Sequence, residues 1–265
     1  MSYIKFVGTA GARFVVARQV RASGGVWFSL AGANVLVDPG SGSLVKCLAS
    51  RPKLDPSGLD AVILTHKHLD HSGDVNSILE AMTNGGRDRR GTLFAPHDAI
   101  GDEPVVFRYV REYVGRIEEL HEGGSYEVGA LRFSTPIRHR HTVDTYGLKF
   151  HLPELDISLI ADTTFFPELV EAYRADVLII NSVLLEPALQ PHIQHLCLND
   201  ARQLIGGIRP KIAILTHFGM AMIRSRPPEL AEQLTAELGI ETIAARDGMK
   251  FDLAEHGLIA AADAE

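Results

Sequence analysis

Short apolar segments recur along the chain and alternate with segments whose apolar residues repeat at helical spacing. Three of them, residues 62–64, 177–180 and 212–215, contain no polar side chain, which is typical of strands buried on both faces. The full pattern predicts strands at residues 4–7, 26–30, 34–38, 61–64, 92–95, 125–128, 131–134, 146–151, 157–161, 177–181 and 212–215, with a final pair after residue 238. It predicts helices near residues 43–50, 75–82, 167–173, 199–206 and 228–238, the fourth capped by Asn199 and Asp200.

This mixture of strands and helices predicts an α+β fold with two central sheets and helices outside, a four-layer αββα sandwich. The sequence has no low-complexity segment and no repeat of fixed period, so residues 1–265 are predicted to form a single domain. Residues 106–121 are aromatic and charged and follow no clear pattern. They are compatible with a lid or with a surface for a partner.

Composition narrows the class of protein. Apolar residues make up 46% of the chain and charged residues 22%, which allows a sizeable core and excludes general disorder. No apolar run reaches the roughly 18 residues of a membrane-spanning helix, and the first residues lack the apolar core of a secretory signal. The two cysteines, Cys47 and Cys197, are too few for a disulfide framework. We therefore expect a cytoplasmic protein without a membrane partner.

Histidine is unusually placed in this sequence. Four side chains of metal-ligating type, His66, His68, Asp70 and His71, fall within six residues directly after the predicted strand at 61–64. A loop at the end of a strand is able to turn several side chains toward one point. Imidazole and carboxylate ligands together suit zinc, and also Mn, Fe or Ni. The alternative is an exposed polar loop that binds no metal.

The pattern His-x-His-x-Asp-His resembles the signature of the metallo-β-lactamase-fold hydrolases. The other motifs of that family follow in the family's order over nearly the whole chain, at Asp38, His141, Asp162 and His217. Ala161 stands where the family usually has glycine. The resemblance implies the metallo-β-lactamase fold, which is an αββα sandwich, and it implies a metal-dependent hydrolase.

The resemblance also implies a ligand set for two divalent metal ions, with zinc as the favoured metal. One metal would be held by His66, His68 and His141. The other would be held by Asp70, His71 and His217. Asp162 would bridge the two metals, with a water molecule between them.

Further residues are assigned to supporting positions around these ligands. Asp38 and Asp60 are expected to accept hydrogen bonds from ligating histidines and so to fix their tautomers. For Asp60, an exposed position at the start of a strand is the alternative. His139 is the alternative to His141 as a ligand, although the spacing to the following Tyr-Gly pair favours His141.

Two segments resemble the ribonuclease Z and cyclic-phosphodiesterase branch of the family. They are the Gly-Thr-rich opening at residues 8–13 and the segment around His195. In that branch this histidine assists the charge at the scissile phosphate or at the leaving group. Cys197 stands where the branch usually has threonine, so a structural role for His195 is the alternative. Asp70 and His195 are the residues that we expect to be catalytic.

A phosphodiester is the favoured substrate on these grounds, and a β-lactam is disfavoured because neither cysteine occupies a ligand position. His141 and Asp162 are only 21 positions apart, which leaves no room for the tRNA-gripping arm of ribonuclease Z. The net charge of −7 also weighs against tRNA, since nucleic-acid binding depends on basic surfaces. We expect an anionic small molecule or a short nucleotide as substrate, and a homodimer as the commonest assembly of soluble proteins.

Three other functions stay open. The same site would serve acyl chemistry on a thioester or a lactone. It would also serve an iron-dependent oxidoreductase of the same fold. A metal-binding module without catalytic activity is the third. Turnover of a panel of esters, the number and identity of the bound metals, and turnover at full metal loading distinguish these functions.

Overall fold

A computed structural model describes residues 2–260 of the chain, so the predicted domain at 1–265 extends beyond the described residues at both ends. The strands are β1 (Tyr3–Phe6), β2 (Val26–Leu30), β3 (Ala33–Val37), β4 (Ala61–Ile63), β5 (Arg90–Pro96), β6 (Val114–Leu120), β7 (Gly124–Val128), β8 (Leu131–Thr135), β9 (Leu148–His151), β10 (Asp156–Ile160), β11 (Val177–Leu184), β12 (Leu196–Cys197), β13 (Ile212–Thr216), β14 (Glu241–Ala244) and β15 (Lys250–Asp252). The α-helices are α1 (Ala12–Ala17), α2 (Ser43–Ala49), α3 (Leu69–Ser72), α4 (Val75–Met82), α5 (His97–Ile100), α6 (Arg108–Arg111), α7 (Glu168–Ala172), α8 (Leu198–Ile208), α9 (Met220–Arg224) and α10 (Pro227–Leu238).

Two mixed sheets form the centre of the fold. The first has seven strands in the order β15-β1-β2-β3-β4-β5-β6. The second has eight, in the order β14-β13-β11-β10-β9-β8-β7, with β12 paired to β11. Helices α2 and α4 pack on the first sheet, and α7, α8 and α10 pack on the second. The predicted αββα sandwich is thereby confirmed.

Successive side chains of the central strands divide between the two sides of each sheet. In β3, Val35 and Val37 lie in the core between the sheets, whereas Leu36 lies in the core under the helices. In β11, Ile179 faces the other sheet and Leu178 faces the helices. Both faces are buried, which is why residues 35–37 of β3 and residues 177–180 of β11 are apolar without interruption.

Parallel pairing brings the ends of several strands to one edge of each sheet. Strands β3 to β6 run parallel to one another, and so do β10, β11, β13 and β14. Ligand sites in sheets of this kind form outside the carboxyl ends of the strands. The segments that follow β3, β4, β10 and β13 carry Asp38, the motif at 65–71, Asp162 and His217.

The segment at residues 106–121 is part of the scaffold. It contains α6 and the edge strand β6, which pairs in parallel with β5. Val106 and Val110 are fully buried in the core under the helices of the first sheet. The strand was not predictable from periodicity, because an edge strand carries charged residues such as Arg116 and Glu119 on its exposed positions.

Two details differ from the sequence predictions. Helix α8 begins at Leu198 with Cys197 as its N-cap, slightly earlier than predicted, and Asp200 takes part in the cap because its carboxylate accepts the Cys197 backbone N–H at 2.9 Å. The last two strands do not pair with each other, since β14 joins the second sheet and β15 the first. Among residues 2–260, no helix has the length and apolar character needed to cross a membrane.

We expect Phe150→Ala to lower the free energy of unfolding by about 3–5 kcal/mol, because it leaves a cavity between the sheets. Phe150 is fully buried, and its ring centroid lies 4.6 Å from that of Phe28 in the facing sheet. Phe14→Ala is the matched control, since Phe14 is 71% exposed and its loss should change stability by less than about 0.5 kcal/mol. Urea unfolding followed by circular dichroism measures both, and equal effects of the two variants would contradict this packing.

Candidate metal centre

The His-x-His-x-Asp-His segment forms a loop and a short helix at the carboxyl end of β4. The strand ends at Ile63, and α3 begins at Leu69. His66 and His68 lie in the loop, while Asp70 and His71 lie in the single turn of α3. This change of direction turns all four side chains toward the carboxyl end of the second sheet.

One group of ligands joins this loop to His141, which lies in the connection between β8 and β9. His68 Nδ1 is 3.1 Å from His141 Nε2, and the His66 ring lies 5.2 Å from the His141 ring. Donor atoms of His66, His68 and His141 all lie within 4.8 Å of one another. His139, the alternative ligand, points away and is bonded to the Tyr173 hydroxyl at 2.9 Å.

A second group lies on the other side of the same loop. His71 Nε2 is 3.1 Å from His217 Nε2, and the Asp70 carboxylate lies 3.8 Å from His71 and 3.6 Å from His217. Asp162 stands between the two groups. Its carboxylate oxygens lie 4.0 Å from His66 Nε2 and 3.6 Å from both His71 Nε2 and His217 Nε2. All seven predicted ligands are thus brought together.

Hydrogen bonds to the outer ring nitrogens leave the inner nitrogens free to bind a metal. The His141 Nδ1–H donates to the Gln194 carbonyl at 2.9 Å, so Nε2 carries the lone pair. His66 Nδ1 lies 3.0 Å from the Thr65 hydroxyl. Because that hydroxyl donates its own proton to Asp38 at 2.7 Å, it accepts from His66. Outer partners of this kind fix tautomers in metal sites.

The chemistry of this cluster fits a divalent cation. His66 Nε2 and Asp162 Oδ2 are buried and, among the described residues, have no hydrogen-bond partner. Buried polar atoms are seldom left unpaired in folded proteins, and those that are need a specific reason. Imidazole nitrogens and carboxylate oxygens gathered within a few ångströms are the donor set that zinc and related ions prefer.

Asp38 and Asp60 differ in their relation to this cluster. Asp38 accepts from the His71 ring at 3.0 Å and from the Thr65 backbone N–H at 2.7 Å, so it connects β3 to the motif. Asp60 accepts from the Asn34 backbone N–H at 2.9 Å and lies 3.6 Å from the Arg90 guanidinium. Its position at the start of β4, at the opposite end from the motif, corrects the expectation that it supports a ligating histidine.

The buried charges of the site act strongly on one another. Burial lowers the pKa of His66 well below its usual value. Burial also lowers the pKa of His71, but Asp38, Asp70 and Asp162 together outweigh it and raise that pKa well above the usual value. For Asp162, burial raises the pKa and the surrounding histidines lower it much further. The carboxylate of Asp162 is therefore ionised.

Asn181 contacts Asp162, and the sequence did not reveal this contact. The side-chain amide of Asn181 donates to Asp162 Oδ1 at 2.9 Å. Asn181 lies in β11, which pairs with β10. The only sequence indication is that a polar residue ends the apolar run at 177–180. The His139 and Tyr173 pair beneath Asp162 was also missed, because its partners lie 34 residues apart.

His195 lies at the rim of the centre. Its Nδ1 is 3.3 Å from Asp162 Oδ2, and its ring centroid is 5.3 Å from that of His141. The side chain is 21% exposed, so it is accessible from the solvent side of the ligands. The remaining histidines, His97, His121, His151, His192 and His256, are exposed.

Similar sequences are found among curated proteins. An uncharacterized protein of Methanocaldococcus jannaschii is 31% identical over 261 residues, which are 94% of this chain and 94% of that protein. A metal-dependent hydrolase of Methanopyrus kandleri is 24% identical over 79% of this chain and 87% of its own length. A ribonuclease Z of Bradyrhizobium diazoefficiens is 27% identical over 46% of this chain and 42% of its own length.

Solved structures with the same fold cover almost the whole chain. The metallo-β-lactamase fold protein YhfI from Bacillus subtilis superposes with a TM-score of 0.74 at 19% identity, over 94% of this chain and 98% of its own. A diphosphatase of the PhnP family gives a TM-score of 0.71 at 19% identity, over 95% and 98%. At this identity the likeness establishes the fold.

The chain has the metallo-β-lactamase fold, and a cluster of His and Asp side chains that could hold metal ions lies at the carboxyl ends of its strands. Residues 33–218 match the β-lactamase superfamily domain, a range that includes all seven candidate ligands. The chain belongs to the β-lactamase superfamily.

We expect Asp38→Asn to weaken metal binding by about 10- to 100-fold, because the amide has one acceptor oxygen in place of two and cannot accept from both the Thr65 backbone N–H and the His71 ring. Asp60→Asn is the control, since Asp60 accepts a backbone N–H as well but contacts none of the ligands. Calorimetric titration of the metal-free proteins with Zn²⁺ measures both affinities. Equal affinities for the two variants would show that the carboxylate of Asp38 does not orient His71.

Proposed function

We propose that this protein is a hydrolase with a binuclear metal site, which activates a bridging water and cleaves a phosphodiester. The observation that carries the proposal is the position of Asp162 between two separate groups of ligands. Its carboxylate lies within about 4 Å of ligand atoms of both groups, with His66 on one side and His71 and His217 on the other. One carboxylate in this position is suited to bridge two cations.

The residues of this chain define what such a site would hold. His66, His68 and His141 would bind one divalent ion, and Asp70, His71 and His217 would bind the other. Zinc suits this mixture of nitrogen and oxygen ligands best, and Mn, Fe and Ni are also suited. When bound, two such ions supply Lewis acidity and lower the pKa of a water molecule between them.

Charge supports an anionic substrate. The protein has a net charge of −7, but two divalent cations would outweigh the carboxylates of Asp70 and Asp162 at the centre. A site with a net positive charge would attract the negatively charged oxygens of a phosphate group to the ligand cluster. The relative named ribonuclease Z and the neighbour named as a diphosphatase support phosphorus chemistry over β-lactam chemistry.

A small substrate fits the chain better than tRNA does. Between His141 and Asp162 the chain forms only β9, β10 and their turn, so this connection carries no extended arm. We therefore favour a short nucleotide or another small phosphodiester.

His195 would assist the leaving group in this proposal. Its Nδ1 faces Asp162 and its ring lies beside His141, so it reaches the rim without being a member of either ligand group. A general acid at this position would donate a ring proton to the departing oxygen.

We expect two metal ions per chain and turnover of bis-p-nitrophenyl phosphate, both reduced in Asp70→Ala, which loses a ligand of the second group. Metal content by mass spectrometry and release of p-nitrophenol measure these quantities. Two metals without phosphodiester turnover would contradict the substrate class and favour a thioester or lactone. One iron without turnover would contradict the binuclear hydrolase and favour the oxidoreductase.

We expect His195→Ala to lower kcat by about 10²-fold or more on a dinucleoside monophosphate, whose alkoxide leaving group needs a proton. The loss should be much smaller on bis-p-nitrophenyl phosphate, since p-nitrophenolate leaves without protonation. His192→Ala, at an exposed histidine three residues earlier, should leave both rates unchanged. An equal loss on both substrates would overturn the role of His195 as a general acid.

A further inference from the structure

Asp247 lies in the connection between β14 and β15, and its carboxylate joins three distant parts of the chain. Oδ1 accepts from the Thr9 backbone N–H at 2.9 Å and from the Thr9 hydroxyl at 2.7 Å. Oδ2 accepts from the Ala22 backbone N–H at 2.7 Å. Thr9 is almost fully buried, so the carboxylate meets donors that water does not reach. Three charge-assisted bonds to one side chain are more than a surface aspartate needs for solvation.

The segment that Asp247 holds lies directly against a candidate metal ligand. Phe218 N–H donates to the Thr9 carbonyl at 2.9 Å, and Gly11 N–H donates to the Phe218 carbonyl at 3.0 Å. A side chain at Gly11 would come within 2.2 Å of the His217 carbonyl oxygen, so the two backbones touch. The residues around Thr9 therefore fix the peptide that follows His217.

His217 needs such support because of its own backbone. Its φ is +60°, a left-handed conformation that a residue with a side chain adopts only when its surroundings impose it. The two hydrogen bonds of Phe218 impose it from one side. This conformation turns the imidazole from the end of β13 toward Asp70 and His71.

Arg21 reinforces the same connection. Its guanidinium donates to the Thr9 hydroxyl at 2.9 Å and to the Ala245 carbonyl at 3.1 Å. It also lies over the Phe218 ring, 5.0 Å from the centroid. The Thr9 hydroxyl is thus bonded to both the Arg21 guanidinium and the Asp247 carboxylate. Both of these residues lie outside the ligand motifs.

We propose that Asp247 is a positioning residue that holds His217 in its ligating orientation through Thr9 and Phe218, and so sets the affinity of the second metal group. The assignment rests on the proposed two-metal function, since it concerns one of the two ligand groups. The chain of contacts predicts a selective effect: loss of Asp247 weakens binding at Asp70, His71 and His217 and spares His66, His68 and His141.

The test is calorimetric titration of the metal-free full chain with Zn²⁺, for wild type and Asp247→Ala. We expect one of two binding constants to weaken by about tenfold or more, with the other unchanged. Asp60→Ala is the matched control, because it removes a carboxylate that also accepts a backbone N–H but lies away from the ligands. Unchanged constants in Asp247→Ala, or equal weakening of both, would overturn the assignment.

Thr9 offers a second pair of variants if Asp247→Ala does not fold. Thr9→Val removes the hydroxyl that joins Asp247 and Arg21, whereas Thr9→Ser keeps it. We expect the selective weakening in Thr9→Val and near wild-type constants in Thr9→Ser. Equal behaviour of the two variants would overturn the assignment.

A double-mutant cycle separates the positioning role from the proposed function. If Asp247 acts through His217, Asp247→Ala should have no further effect on metal binding in a His217→Ala background. If the wild type binds only one ion, the proposed two-metal function is wrong. The same double-mutant cycle, measured on the binding constant of that single ion, then tests the positioning role by itself. Non-additive losses then support the positioning role, and additive losses or none overturn it.

Discussion

The structure depends on one unfavourable interaction: buried acceptor atoms of a histidine and an aspartate lie close together without a hydrogen-bond donor between them. His66 Nε2 and Asp162 Oδ2 lie within 4.0 Å, and neither has a hydrogen-bond partner among the described residues. Leaving such groups unpaired in a protein interior is unfavourable by more than a typical hydrogen bond contributes. A divalent cation turns this repulsive arrangement into an attractive one. A metal bound here would therefore also stabilise the carboxyl edge of the sandwich.

The scaffold tolerates this arrangement because rigid elements surround it. The central strands are buried on both faces, so the ends from which the ligands project have little freedom to move. Two of the residues at these ends, Asp38 and His217, have positive φ angles of 53° and 60°. Backbone strain of this kind persists only where neighbouring contacts impose it. Thr65 bonds Asp38 from one sheet, and the Thr9 segment holds the peptide after His217 from the other side.

Charge gives the site a character opposite to that of the protein as a whole. The surface is acidic on balance, which disfavours long nucleic acids that need extended basic contacts. The ligand cluster, in contrast, becomes a local centre of positive charge when cations occupy it. Under the proposed function, such a site would select anions that are small enough to reach the centre. His195 at the rim would then supply a proton donor on the solvent side of the ligands.

The sequence by itself determined the αββα sandwich and the grouping of ligand types, because apolar runs and the spacing of His66, His68, Asp70 and His71 are local properties. Family resemblance extended the ligand set to positions far along the chain. The spacing to the following Tyr-Gly pair already favoured His141 over His139, but only the tertiary structure separated Asp38 from Asp60, and only it revealed Asp247. These distinctions depend on which strand ends meet across the two sheets. Hydrogen bonds between residues 33 or 238 positions apart leave no periodic pattern in the sequence, so the packing of the sheets decides them.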